Sequence, residues 1–110
     1  MASVPLSPEE IKNTTGPVVY LLHFSTPFRH AAHYLGWTVN LLERIGKHRA
    51  GTGARLVAVV REYGIEVEVA AVWPGDRSKE RALKRWHGGT KLCPICKAKR
   101  RAQRHQLRLF

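Results

Sequence analysis

Several things are missing from this chain of 110 residues, and each absence narrows what it can be. No apolar run approaches the roughly 18–20 residues that a helix needs to cross a bilayer, so no membrane span is expected. The N-terminal MASVPLSPEE lacks the basic stretch and apolar core of a secretory signal. Together these absences suggest a soluble, cytoplasmic protein. Internal repeats and coiled-coil heptads are also missing, which leaves one folded body. A chain of this length supports a single modest core and not two.

Acid is missing from the C-terminal part. Up to and including Glu80 there are nine Lys/Arg against eight Asp/Glu, whereas after Glu80 there are ten Lys/Arg and no acid. Nearly all of the net charge of +11 therefore sits at one end. A near-neutral body with a basic end is the asymmetry expected of a protein that works on nucleic acid. A ribosome-associated protein or a binder of anionic membranes would show a similar charge. Cysteine is scarce: Cys93 and Cys96 make one CxxC, and no second pair stands elsewhere. The glycine-punctuated segment 49–53 is no phosphate-binding loop, because its spacing is wrong and no GK[ST] follows. It reads as a flexible hinge.

What is present reads in order as a small α/β (α+β) unit. Residues 1–16 carry Pro5, Pro8 and Gly16 and look like an arm, with a helical turn started by Ser7 as cap and Pro8 at the first helical position. The run at 17–24, β-branched at its start and bounded by Gly-Pro and Ser-Thr-Pro, predicts a buried strand. Residues 25–32 read as a connector and 33–37 as a second strand, antiparallel to the first. The stretch 34–48, YLGWTVNLLERIGKH, predicts a turn at Gly36 and then a helix capped by Asn40, with Glu43 completing a capping box. Leu41, Leu42 and Ile45 would be its apolar stripe, with Arg44 and His48 four apart on one side.

A second helix is expected over 54–63, with Leu56, Val57 and Val60 at helical spacing and Gly64 at its end. Ile65, Val67 and Val69 alternate with Glu66 and Glu68, the clearest strand signal in the chain, extending to Trp73. A third helix would start from Asp76 or Ser78 and run to about His87, burying Ala82, Leu83 and Trp86. The order β-β-α-α-β-α describes a three-stranded mixed or antiparallel sheet flanked by helices.

Within this frame Glu80 can be an ordinary partner of Lys84. If its helix packs toward Arg44 and the tyrosines, it becomes a lone carboxylate in a basic site. One carboxylate with waters and a substrate phosphate suffices to hold Mg²⁺. Two tyrosines, an arginine, a histidine and a metal-binding glutamate make a phosphodiesterase set: a base for water, a cation for the growing phosphoryl charge, a metal for the leaving group.

Val18-Val19-Tyr20, Tyr34-Leu35-Gly36, the segment from Leu42-Glu43-Arg44 to His48, Gly51-Thr52-Gly53-Ala54-Arg55 and Ser78-Lys79-Glu80-Arg81-Ala82-Leu83, in this order, resemble the motifs of the GIY-YIG nuclease superfamily. The resemblance covers residues 17–87. It implies a compact three-stranded sheet with helices and a cut in DNA that depends on Mg²⁺ or Mn²⁺. Carried over by position, Tyr20 would be the base or water-positioner, supported by Tyr34. Arg44 would contact the scissile phosphate, His48 would aid proton transfer or phosphate binding, Glu80 would ligate the metal, and Gly36 would keep backbone clear of the site. The chain departs from the pattern in its longer connector between the tyrosines, which carries Arg29, His30 and His33, and in having no Asn after position 40.

Residues 88–110 read as a basic tail. Its CxxC suits Zn²⁺ if His87 and His105 complete a Cys₂His₂ set, although the spacing is not that of a standard finger. Free thiols or a disulfide are the alternatives. Lys97, Lys99, Arg100, Arg101 and Arg104 in the tail, with Arg29, Lys47 and Arg55 in the body, are the candidate phosphate contacts. The expectation is a DNA endonuclease, acting as a homodimer or with a separate targeting partner because little chain is left for targeting. A catalytically silent nucleic-acid-binding module and a small zinc-stabilised interaction protein are the rival readings.

Overall fold

The structure, a computed structural model, describes residues 6–85 and 92–108, with the backbone alone for 103–108. It begins with α1 (Pro8–Asn13), followed by β1 (Val18–Phe28), β2 (Ala31–Thr38), α2 (Leu41–Ala50), α3 (Arg55–Glu62), β3 (Val67–Pro74) and α4 (Arg77–Arg85). The last helix, α5, is Pro94–Arg108. The sheet is antiparallel, in the order β2-β1-β3. No described helix is long and apolar enough to cross a membrane.

β1 is the centre of the fold. Residues 18–24 are buried without a break, because helices cover the sheet on both sides. On one face Val18, Tyr20, Leu22 and Phe24 pack with Ile11, Leu41, Ile45, Val57, Val60 and Val69 from α1, α2, α3 and β3. On the other, Leu21 packs with Ala70 and Cys93, backed by Leu35, Trp73, Leu92 and Ile95. A strand between two apolar layers shows no alternation, which is why 17–24 reads as a continuous apolar run.

β3 serves both layers through an irregularity. Leu21 pairs with Ala71 and Leu22 with Val69, so Ala70 is an extra residue that shifts the phase of alternation by one. Val67 and Val69 before it, and Val72 after it, face the first layer, while Ala70, Ala71 and Trp73 face the second.

Several expectations are corrected. Residues 25–28, expected as connector, continue β1, and the hairpin closes at Phe28–Ala31 across Arg29, whose φ is +56°. The helical turn expected from Ser7 and Pro8 is α1, with Ser7 and Glu10 making a reciprocal capping box, but it is no mere arm, since Ile11 lies in the core. Segment 49–53 is no loose hinge: Gly51 ends α2 with φ +78°, and the N–H groups of Thr52 and Gly53 both donate to the Lys47 carbonyl. In α2 the Asn40 side chain caps by accepting from the Glu43 N–H, but Leu42 is half exposed and His48 takes its place on the buried face. In α4 Leu83 is buried and Ala82 exposed, and Trp86 lies outside the described residues.

Candidate functional site

Four of the five residues marked out for catalysis meet where β1, β2 and α2 come together. Tyr20 and Gly36 are direct partners across the β1–β2 ladder, which puts Tyr34, two residues along β2, on the same face. The Tyr20 hydroxyl lies 2.8 Å from Nε2 of His48, the two sharing one proton whose position depends on the imidazole tautomer. The three rings pack together, with centroids 6.2 Å apart for Tyr20–Tyr34 and 5.7 Å for His48 against each tyrosine. Tyr34 and Arg44 also interact with the Tyr20 hydroxyl, and both are half-buried.

Two glycines make this close packing feasible. A Cβ on Gly36 would stand 2.5 Å from the Tyr20 ring, and one on Gly53 would stand 2.5 Å from Nδ1 of His48. The turn after α2 thus closes against His48, leaving its Nδ1 buried with no hydrogen-bond partner among the described residues.

Burial pushes the Tyr20 phenol above its ordinary value of 10.0; neighbouring Tyr34 adds to the rise, and the Arg44 guanidinium opposes it. Burial also holds His48 below its ordinary 6.5, helped by the positive charges of Arg44 and Arg61. The resting pair is therefore a neutral phenol on a neutral imidazole.

Glu80 is not among the groups around the Tyr20 hydroxyl. It sits on α4, which packs against β2 and β1, and its carboxylate lies 3.9 Å from Lys84, the ordinary pairing. The turn into α4 is tied down by the Trp37 indole N–H donating to the Gly75 carbonyl at 3.1 Å and by Arg77 stacked over the same indole.

A second group of chemistry-bearing residues lies on the opposite face of the sheet. His23 and His33 face each other across the β1–β2 ladder, and the start of α5 brings Cys93 and Cys96 over them. His23 Nδ1 is 3.5 Å from Cys93 Sγ, 3.6 Å from Cys96 Sγ and 3.4 Å from His33 Nε2, and Cys96 Sγ is 3.4 Å from His33 Nε2. All four ligand atoms lie within 4.8 Å of one another, a group that can hold a metal ion. The cysteines carry no disulfide. Burial lowers both imidazoles from 6.5, His33 to about 4 with His23 adding to the fall, and burial raises the Cys96 thiol with Cys93 adding to the rise.

The sequence points to His87 and His105 as partners of the CxxC; among the described residues, the imidazoles beside the sulfurs are those of His23 and His33. His87 and the side chain of His105 lie outside the described residues. Along the chain His23 is hidden inside an apolar run, and His33 reads as part of a long connector. The available signal is a CxxC short of two ligands in a chain whose first two strands each carry a histidine.

The expected phosphate contacts are spread over the surface. Arg29 and Arg55 are exposed, with Arg29 over the Phe28 ring, and Lys47 pairs with Glu43 at 3.3 Å. Lys97, Lys99, Arg100 and Arg101 are exposed on α5, while the Arg104 side chain lies outside the described residues. Compared with known proteins, the chain matches no family model, no curated protein and no solved structure.

Proposed function

We propose that the chain is a divalent-metal-dependent endonuclease that hydrolyses phosphodiester bonds in DNA, a cytoplasmic protein held on nucleic acid by its basic C-terminal helix. The observation that carries this reading is the 2.8 Å Tyr20–His48 contact with Tyr34 and Arg44 around it. These are four of the residues that the GIY-YIG resemblance names, and three separate elements supply them.

In this reading, water attacks the phosphorus and the phosphodiester P–O bond breaks. The proton of the attacking water must go to a base, and charge grows on the phosphoryl and leaving oxygens. Arg44, half-buried and beside the tyrosines, meets the phosphoryl charge. Tyr20 has no exposed surface, so the water approaches it from the side of Tyr34 and Arg44. As that proton reaches the Tyr20 oxygen, the phenol's own proton passes to Nε2 of His48. Arg44 favours the phenolate formed in passing. Glu80 fits Mg²⁺ or Mn²⁺ as a single hard oxygen donor that leaves most of the coordination to water and phosphate; the ion would stabilise charge on the leaving oxygen. The 3.9 Å Glu80–Lys84 pair is loose enough for a dication to replace it.

The same pair favours the second reading, a binding module whose site is silent because Glu80 stays with Lys84. Supercoiled plasmid with Mg²⁺ or Mn²⁺, against the same chelator-free buffer without either, separates the two. The nuclease reading expects metal-dependent nicking that falls at least 100-fold in Glu80→Ala and in Arg44→Ala. An uncut plasmid that the protein still binds in a salt-sensitive way leaves the binding module.

A further inference from the structure

We infer that His23, His33, Cys93 and Cys96 form a tetrahedral Zn²⁺ centre that fastens the basic helix α5 to the face of the sheet opposite Tyr20. The inference is independent of the nuclease reading. Its first support is metric. Tetrahedral Zn²⁺ with Zn–S of about 2.3 Å and Zn–N of about 2.05 Å sets ligand edges of roughly 3.35 Å for N–N and roughly 3.55 Å for S–N. One N–N edge of 3.4 Å and three S–N edges of 3.4, 3.5 and 3.6 Å in this group match those lengths.

Hydrogen bonding does not account for the same arrangement. His23 Nδ1 faces three ligand atoms at once, and a single imidazole nitrogen has one N–H or one lone pair to offer. Four groups pointing their donor atoms at one centre describe a coordination polyhedron.

The donor set and its setting are also those of zinc. Two thiolates and two neutral imidazoles neutralise the dication, so the centre carries no net charge into a buried place. Neutral imidazoles and thiolates are the forms that ligate, so loading the centre would release the thiol protons. Glu68, the register partner of His23 on β3, sets a carboxylate beside that imidazole and can fix its orientation. Pro94 opens α5 between the cysteines, where its missing N–H costs nothing, and the Lys97 N–H donates to the Cys93 carbonyl to tighten the turn.

The arrangement also explains how a helix so rich in like charge stays docked. The apolar contact of this segment with the sheet comes from Leu92, Cys93, Ile95 and Cys96. A small apolar interface of this kind is where a metal staple is needed.

The test is metal analysis of the full chain expressed with zinc and purified without chelator, followed by Co²⁺ exchange and visible spectroscopy. One equivalent of zinc per chain is expected, with intense tetrahedral d–d bands and a sulfur-to-cobalt charge-transfer band on exchange. Cys96→Ser and His33→Gln should each weaken metal affinity by at least 10-fold, while the double variant His87→Gln/His105→Gln keeps the wild-type spectrum. Wild-type protein without zinc and without a tetrahedral cobalt spectrum overturns the centre, and needs no variant to fold. A spectrum kept by His33→Gln but abolished in the His87/His105 variant overturns this ligand set.

Discussion

The His48 imidazole is held by contacts that leave it little room. Gly53 presses on its Nδ1 side and Tyr20 binds its Nε2. A methyl group at position 53 would have to displace the ring or the backbone turn, and such overpacking costs about 1–3 kcal/mol. Gly46, in the same helix, has open space within 4 Å of where a Cβ would stand, so alanine there should be neutral or stabilising by up to about 1 kcal/mol. Urea denaturation should therefore show Gly53→Ala destabilised and Gly46→Ala unchanged or stabilised. Equal shifts would mean that the ring does not sit against the turn.

His48 also makes stability depend on pH. Its folded pKa is below its ordinary 6.5, so the unfolded chain takes up a proton there more readily than the folded one. Its contribution is complete above 6.5 and is lost as pH falls below that value towards the folded pKa, with a slope of at most about 1.4 kcal/mol per pH unit. Between about pH 6.5 and about pH 5 the wild type should lose stability more steeply than His48→Gln, measured with Zn²⁺ present to keep the other histidines constant. Parallel pH profiles would show that His48 titrates normally in the folded chain.

At the scale of elements, α1 and α5 change what the body of the protein is. Each reads along the chain as an extension, and each supplies side chains to one layer: Ile11 to the layer of Tyr20, and Leu92 to Cys96 to the layer of Leu21. The end elements thus add to the cover of β1 on both faces. Ile11→Ala should cost about 2–5 kcal/mol if α1 is integral, and next to nothing if it is a loose arm. Thermal and chemical denaturation give that value directly. The metal centre would do for α5 what apolar packing does for α1. With both proposed metals a chelator would act in two ways, so loss of cutting in EDTA alone would not identify an ion at Glu80; Glu80→Ala with intact zinc content would.

At the scale of the whole molecule, Tyr20 and His23 lie on opposite faces of the same strand, so β1 links the proposed site to the group that meets the basic helix. Charge is divided in the same way, with a near-neutral body and a helix whose Lys97, Lys99 and Arg101 are exposed. If these bind phosphates, replacing all three by alanine should lower the slope of log affinity against log salt by about 0.9 for each phosphate no longer neutralised on duplex DNA. Filter binding or fluorescence anisotropy over a salt series measures it. An unchanged slope would move the contact surface to the body, where Arg29 and Arg55 are exposed.

Whatever depends on neighbouring residues is legible along the chain. Ser7 and Asn40 cap helices because their side chains reach N–H groups three residues on. The strand at Val67 shows its alternation, and the order of Tyr20, Tyr34, Arg44 and His48 reads as a set. Pairing across distance is settled only when the chain folds. The register that sets His23 against His33 is reached only after the β1–β2 ladder shifts between Phe28 and His23, and no local pattern encodes that shift. The extra residue at Ala70 allows β3 to face two layers, and it shows only against its partner strand. The exposure of Leu42 and the burial of His48 depend on which face of α2 meets the sheet. The CxxC finds its histidines far back in the chain because α5 folds over β1 and β2, with separations of 70 and 63 residues in the Cys93–His23 and Cys96–His33 contacts. Spacing along the chain carries no trace of a contact made by that return.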